Sequence, residues 1–244
     1  MTHTAITVSN LSKEFQIDQN KTASVLKNIS LQAHYNEFTS ILGISGSGKS
    51  TLLKCISSLL APSSGSVHIN GLNPYKLRNS QLAKLRRKDI AFIFQSYNLL
   101  PALPVLENIA IPLRLSHRPV DTKKIHNLLS QMKFQADAHT FVKHLSGGEQ
   151  QKVAIARAIL SDSSIIFADE PTGALDSHSR QIIFDLLKGL AKAGKCVLMV
   201  THDLELASQT DRALVLKDGQ IVHDISSPSP DTLYQALGVS ISDK

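Results

Sequence analysis

The stretch Gly43-Ile44-Ser45-Gly46-Ser47-Gly48-Lys49-Ser50-Thr51 restricts the fold of this chain more than any other. It fits Gly-x-x-x-x-Gly-Lys-Ser/Thr, with a buried-strand run before it (Phe38–Leu42) and an apolar-faced helix expected after it (Ser50–Leu60). Such a turn needs a parallel strand feeding a helix whose free N–H groups point at an anion. The glycines let backbone N–H groups wrap phosphates, and Lys49 reaches the outer phosphate oxygens. The Ser50 hydroxyl is offered to Mg²⁺. Gly43, Ser45, Gly46, Ser47, Gly48, Lys49, Ser50 and Thr51 are therefore the candidate phosphate-binding residues.

A second anion-binding turn lies further along, at Leu145-Ser146-Gly147-Gly148-Glu149-Gln150, opening the helical run Gln150–Leu160. One nucleotide needs one such cradle within a chain. The surplus implies two half-sites that are completed when two chains meet.

Strand-like and helical stretches alternate around these turns. Residues 5–35 read as short strands with a polar loop at Asp18–Ala23, and Ser66–Asn70 and Ile90–Gln95 as further strands. Between Ser96 and Phe141 prolines 101, 104, 112 and 119 punctuate helical pieces, and β-branched strand runs are missing. Ile165–Asp169 and Cys196–Thr201 restore buried parallel-type strands around a helix at Ser177–Ala193. Leu214–Val222 carries an Asp-Gly hairpin turn at Asp218-Gly219. The expectation is an α/β fold with an inserted α-helical subdomain.

Composition bounds the remaining possibilities. With 244 residues, 42% hydrophobic and 19% charged, the chain can bury a full core. Its longest apolar runs are too short to cross a bilayer, and Met1-Thr2-His3-Thr4 lacks the layout of a signal peptide. Cys55 and Cys196 have no metal-type spacing and read as reduced core residues of a cytoplasmic protein. The net charge of +6 is densest at Lys76, Arg78, Lys84, Arg86, Arg87 and Lys88. That segment reads as a solvated helix face, a surface toward anionic lipid or a membrane partner, or a nucleic-acid contact. No nucleic-acid motif accompanies it.

Three strand ends carry candidate chemistry. Asp169 and Glu170 close a buried strand, where open α/β sheets place ligands. Asp169 can hold Mg²⁺, and Glu170 can take a proton from an attacking water. His202 follows another strand, where an imidazole can reach the γ-phosphate. Gln95 ends a third, where its amide can touch Mg²⁺ or water and relay nucleotide state to the insertion.

Together these residues resemble the nucleotide-binding subunit of an ATP-binding-cassette (ABC) transporter, over essentially the whole chain. Gly43–Thr51 is similar to Walker A and Ile165–Glu170 to Walker B. Gln95 resembles the Q-loop, Leu145–Gln150 the signature, Ala174-Leu175-Asp176 the D-loop and His202 the switch histidine. Phe15 stands where the family places an adenine-stacking aromatic. The resemblance implies a P-loop NTPase (RecA-like) core with an antiparallel β subdomain, and one nucleotide-binding domain over residues 1–244. Its core would be about 1–95 and 161–244, and its helical subdomain about 96–160. It implies ATP and Mg²⁺ as ligands, with Glu170, His202, Lys49 and Gln95 in catalysis and Ser50, Gln95 and Asp169 at the metal. It also implies a head-to-tail homodimer in which Ser146, Gly147 and Gly148 bind the γ-phosphate held by the other chain, with Asp176 beside them.

Phe94–Pro101, Val105–Ile109 and Ala168–Ser177 narrow the resemblance to the group that includes MacB, LolD and BceA. That group implies a separate integral-membrane permease, attachment at the cytoplasmic face of the membrane, no nucleic acid, and export or extraction of a peptide, lipid or antibiotic-like substrate. Within that group, Ser164–Ser177 looks most like the bacitracin-type peptide resistance branch. The other reading is a soluble ABC ATPase acting on nucleic acid or ribosomes, but such proteins usually carry two cassettes or a long coiled coil. A different P-loop enzyme, such as a kinase, is at odds with the signature. Four departures stand out: Ile44 for a common Pro, Asn36 for a Gly, Lys152 for an Arg after the signature, and Phe15 for a frequent Tyr. Lys152 keeps the charge and loses the planar fork.

Overall fold

A computed structural model describes residues 3–18 and 21–238 of the chain. The chain begins with strands β1 (Thr4–Asp18) and β2 (Lys21–His34), followed by β3 (Glu37–Leu42), α1 (Lys49–Ile56) and β4 (Ser64–Ile69). Helix α2 (Asn79–Asp89) leads into β5 (Ile90–Ile93), and then come α3 (Val105–Leu115), α4 (Thr122–Gln131) and α5 (Gly147–Leu160). The remainder is β6 (Ile165–Asp169), α6 (Ser177–Lys192), β7 (Cys196–Val200), α7 (Leu204–Ala207), β8 (Arg212–Lys217), β9 (Gln220–Ser226) and α8 (Pro230–Leu237).

Strands β5, β6, β7, β3 and β8 pair in parallel in that order, with β9 antiparallel at the edge, and β2, β1 and β4 form a separate antiparallel sheet. Successive strand residues point to opposite faces, so the parallel sheet divides the core in two. Ile166, Ala168, Val197 and Met199 join Phe38 and Phe184 and the apolar faces of α3, α4 and α5. Ile165, Phe167, Leu198 and Val200 point the other way, onto α1 and the β1–β2–β4 sheet. Both faces being covered explains why these strands read as unbroken apolar runs.

The parallel order has a functional consequence. Strands β3, β5, β6 and β7 all end at one edge, so Gly43, Gln95, Glu170 and His202 converge although the sequence scatters them. Helices α3, α4 and α5 fall between β5 and β6, and α5 packs most heavily on α3. Asn108 ties the start of this stretch together. Its buried amide accepts from Leu100 N and donates to the carbonyls of Leu100, Leu103 and Pro104 at 2.8–3.2 Å.

Several boundaries differ from the sequence reading. Residues 5–35 form two long strands; register shifts and the positive φ angles of Asn10 and Asn28 break the period-2 pattern that would have marked them as long. Of the polar loop expected at Asp18–Ala23, Gln19 and Asn20 lie outside the described residues, as do Met1 and Thr2. Helix α1 stops at Ile56 because Ser58 takes φ 70°. Strand β5 ends at Ile93, two residues before Gln95, and α5 starts at Gly147, earlier than Gln150. Helix α8, which starts with a Ser229–Thr232 capping box, is a further element beyond those expected from the sequence. Asn36 does adopt the left-handed turn (φ 61°). Cys55 and Cys196 are buried free thiols, and burial pushes the Cys55 thiol up to about 11.

Candidate functional site

Strand β3 delivers the chain into the phosphate turn, and Gly48 caps α1 with φ 103°. Among the described residues no side-chain cap bond closes the start of α1, which leaves its first N–H groups as donors for a ligand. A Cβ on Gly48 would sit 2.9 Å from Leu26 Cδ2 and 3.1 Å from Val25 O, so position 48 is held to glycine by both angle and space. The Lys49 ammonium folds back on the turn, donating to Gly43 O (2.8 Å) and Ile44 O (3.0 Å). Burial lowers the Lys49 pKa, and the nearby carboxylates of Glu170 and Asp169 oppose that shift. Ser47 Oγ is buried with no hydrogen-bond partner among the described residues.

The carboxylates face this turn from the end of β6. Ser50 Oγ donates to Asp169 Oδ1 at 2.8 Å, putting two hard oxygens together beside Lys49. Glu170 breaks from the strand with φ 50°, a conformation costly for a side chain of this kind. Its N–H donates to Val200 O (3.0 Å), which holds the bend against β7. The bend aims the carboxylate at His202, with Oε2 at 2.9 Å from Nδ1. The Glu170 side chain is 13% exposed and the His202 side chain 74%. The histidine is set by its neighbours: Asp203 N donates to Thr201 Oγ1, and Asp203 both caps α7 and pairs with Arg180 at 2.9 Å.

Lys49, Gln95, Glu170 and His202 line a cleft of about 550 Å³. A contiguous hollow of about 450 Å³, sharing Ser45, Lys49, Gln95 and Glu170, continues it past Gly46, Gly48, Ser50 and Thr51 to Val25. Phe15 is not among the lining residues. It stands on the β1–β2 hairpin, 39% exposed, with Lys13 Nζ 5.1 Å from its ring centroid.

Ser146, Gly147 and Gly148 also stand outside the cleft. Ser146 and Gly147 are exposed, and Ser146 Oγ caps α5 by accepting from Glu149 N. Tyr97 and Ala174 line the cleft and separate it from this turn. A Cβ on Gly147 would lie 3.1 Å from Tyr97 Oη, and one on Gly148 3.2 Å from Ala174 O. Asp176 caps α6, accepting from Ser179 N at 2.9 Å, a bond that holds its carboxyl below the ordinary range.

Three further residues belong to this site. Tyr97 and Gln151 line the cleft, and the Gln151 amide is anchored on Pro171 O at 2.8 Å. Arg157 donates to the carbonyls of Tyr97 and Asn98, both with positive φ, and so pins the segment after Gln95 to α5. None carries a local signal; their role comes from the packing of α5 against that segment.

Comparison with known proteins gives this geometry a family. The model of the ABC transporter family matches residues 26–173. The chain is similar to the macrolide export ATP-binding/permease protein MacB of Chromobacterium violaceum, 42% identical over 87% of this chain and 33% of that protein. MacB of Mannheimia succiniciproducens is 41% identical over 90% of this chain and 34% of that protein. The chain thus spans about a third of the length of the curated relatives it matches. Among solved structures, the ATP-binding cassette MJ0796, in a dimeric post-hydrolysis state bound to ADP and Pi, is 38% identical with a TM-score of 0.86. That likeness covers 92% of this chain and 99% of that one.

Proposed function

Because this chain belongs to the ABC transporter family and is an ATP-binding, ATP-hydrolysing cassette, we propose that it works as one of two identical subunits closing on ATP to drive a separate membrane permease. The observation that carries this reading is the separation of the two anion cradles. Lys49, Ser50, Asp169 and Glu170 share one cleft, while Ser146 and Gly147 face outward beyond the Tyr97–Ala174 wall. Within one chain they cannot grip the same phosphate. Between two chains arranged head to tail they can, and the dimeric state of the MJ0796 cassette supports the pairing of two such chains. One domain is proposed to span residues 1–244, with core about 1–95 and 161–244 and helical part about 96–160.

In the proposed reaction, Gly43–Thr51 cradles the phosphates of ATP and Lys49 leaves its loop carbonyls for the β- and γ-oxygens. Glu170 removes a proton from a water that attacks the γ-phosphorus, and the bond to the β-phosphate oxygen breaks, releasing ADP and phosphate. His202, held 2.9 Å from Glu170, would turn its ring N–H from that carboxylate to the γ-phosphate. The adjacent Ser50 and Asp169 oxygens and the Gln95 amide suit Mg²⁺, a hard cation that keeps most of its remaining ligands as water and phosphate. When bound, the ion would neutralise phosphate charge. Gln95 would report its state through the Arg157-pinned segment. Asp176 would line the dimer seam, and Phe15, on the hairpin that carries Val25 into the cleft wall, would stack on adenine.

Partner and cargo follow the same logic. No helix among the described residues is long and apolar enough to cross a membrane. A groove between α2–β5 and α3–α5, lined by Phe92, Phe94, Ile111 and Leu115, is proposed to receive a cytoplasmic segment of the permease. The chain would then sit at the cytoplasmic face of the membrane. The proposed work is export or extraction of a peptide, lipid or antibiotic-like substrate, and similarity to macrolide exporters supports the antibiotic-like member of that set.

The decisive experiment uses Glu170→Gln with ATP and Mg²⁺ in size-exclusion chromatography with light scattering. A stable dimer that forms with ATP and is absent with ADP is expected. A chain that stays monomeric while saturated with ATP sinks the shared-site reading.

A further inference from the structure

The first two turns of α5 hold a charge pair that the cleft chemistry does not use. Lys152 is 7% exposed, and its ammonium lies 2.9 Å from Glu149 Oε1. The second carboxylate oxygen of Glu149 accepts from Gln135 N at 3.3 Å, and Lys152 Nζ also donates to Lys133 O at 3.0 Å. The Lys133 ammonium in turn meets His178 Nε2 in the first turn of α6. The pair therefore straps the start of α5 to the turn that follows α4. Nothing in a strap requires charge, since neutral groups could make the same bonds.

The charge has a consequence at the exposed end of the helix. A carboxylate in a helix's first turn is attracted to the positive pole of that helix. Glu149 occupies that position, and its own N–H is the one that Ser146 Oγ caps. The pole is also what Ser146 and Gly147 present to an incoming anion. Left alone, the Glu149 carboxylate would compete with a γ-phosphate and repel it.

We propose that Lys152 is a positioning and charge-compensating residue: it cancels Glu149 so that the pole of α5 stays open to the partner chain's γ-phosphate, while Glu149 limits how tightly that pole holds it. The pair then tunes the closing and opening of the dimer without touching the reacting atoms. This inference rests on the trans role of the signature turn proposed above.

The test measures the ATP concentration giving half-maximal dimer in the Glu170→Gln chain, alongside ATP affinity of the monomer and thermal midpoint. Adding Lys152→Met is expected to raise the half-maximal concentration about tenfold, with monomer affinity unchanged. Adding Glu149→Gln keeps the acceptor oxygen and removes the charge, and is expected to lower it by roughly threefold or more. The Glu149→Gln/Lys152→Met pair is expected to return to within about threefold of the parent, and Lys152→Arg to remain there. The proposal is overturned if Glu149→Gln leaves the half-maximal concentration unchanged, or if the double variant is as impaired as Lys152→Met. Should Lys152→Met fail to fold, the Glu149→Gln comparison decides alone. A parent chain that binds ATP without dimerising defeats the underlying trans reading, and this proposal with it, before any variant is compared.

Discussion

The turns at Gly43–Thr51 and Leu145–Gln150 both open a helix whose first N–H groups suit an anion, and their surroundings make them unequal. The first is enclosed by β2 and the end of β3, has glycine at the helix cap, and keeps Lys49, Ser50, Asp169 and Glu170 beside it. The second is exposed, spends the Ser146 hydroxyl on its own helix, and has Lys152 neutralised by Glu149. One cradle brings a cation, a metal-suited oxygen pair and a base; the other brings mainly backbone N–H groups. In the proposed reaction the first holds the nucleotide and the second completes that grip from the other chain. That asymmetry is what a dimer-dependent ATPase requires, because binding and closure become separate events.

The comparison can be broken most sharply at Glu170. Glu170→Gln is expected to cut turnover by about 10³-fold while preserving ATP binding, measured by phosphate release beside nucleotide titration. Turnover at the parent rate would remove Glu170 from its proposed role. Ser146→Arg should lower turnover by about 100-fold through loss of the dimer, with monomer affinity for ATP within about twofold of the parent. Weakened binding by the isolated monomer would mean that the second cradle acts in cis, and the asymmetry would vanish.

A smaller effect concerns how the second cradle is presented. Asn108→Ala strips partners from Leu100, Leu103 and Pro104 and should cost about 2 kcal/mol in denaturant unfolding. An unchanged unfolding midpoint would deny this amide its part in ordering the helices that carry α5. The smallest effect is expected at Phe15→Ala, where losing a stacking face should weaken ATP binding by about fivefold, or about 1 kcal/mol. Equal affinities of the two chains would show that the first cradle binds through phosphates without this ring.

Legibility in the sequence followed the same division. The phosphate turn, the buried strands β6 and β7 and the Asp-Gly hairpin are local patterns, set by backbone angles and by which faces are buried, and they stand where the residues implied. The hairpin β1–β2 was obscured because positive-φ asparagines and register shifts interrupt its alternation. Tyr97, Gln151 and Arg157 could not be found, since each works by reaching across from one segment to another.

What the residues determined alone was the chemistry: a lysine and glycines for phosphate, carboxylates at a strand end, and a second helix pole for an anion. These depend on residue type and short spacing, which need no partner. Tertiary structure alone decided which groups meet. The parallel order of the sheet brings Glu170 against His202 and Ser50 against Asp169, and the packing of α5 on Tyr97 and Ala174 turns the second cradle outward. Such meetings join residues far apart in the chain, and their geometry is set by how sheet and helices pack together.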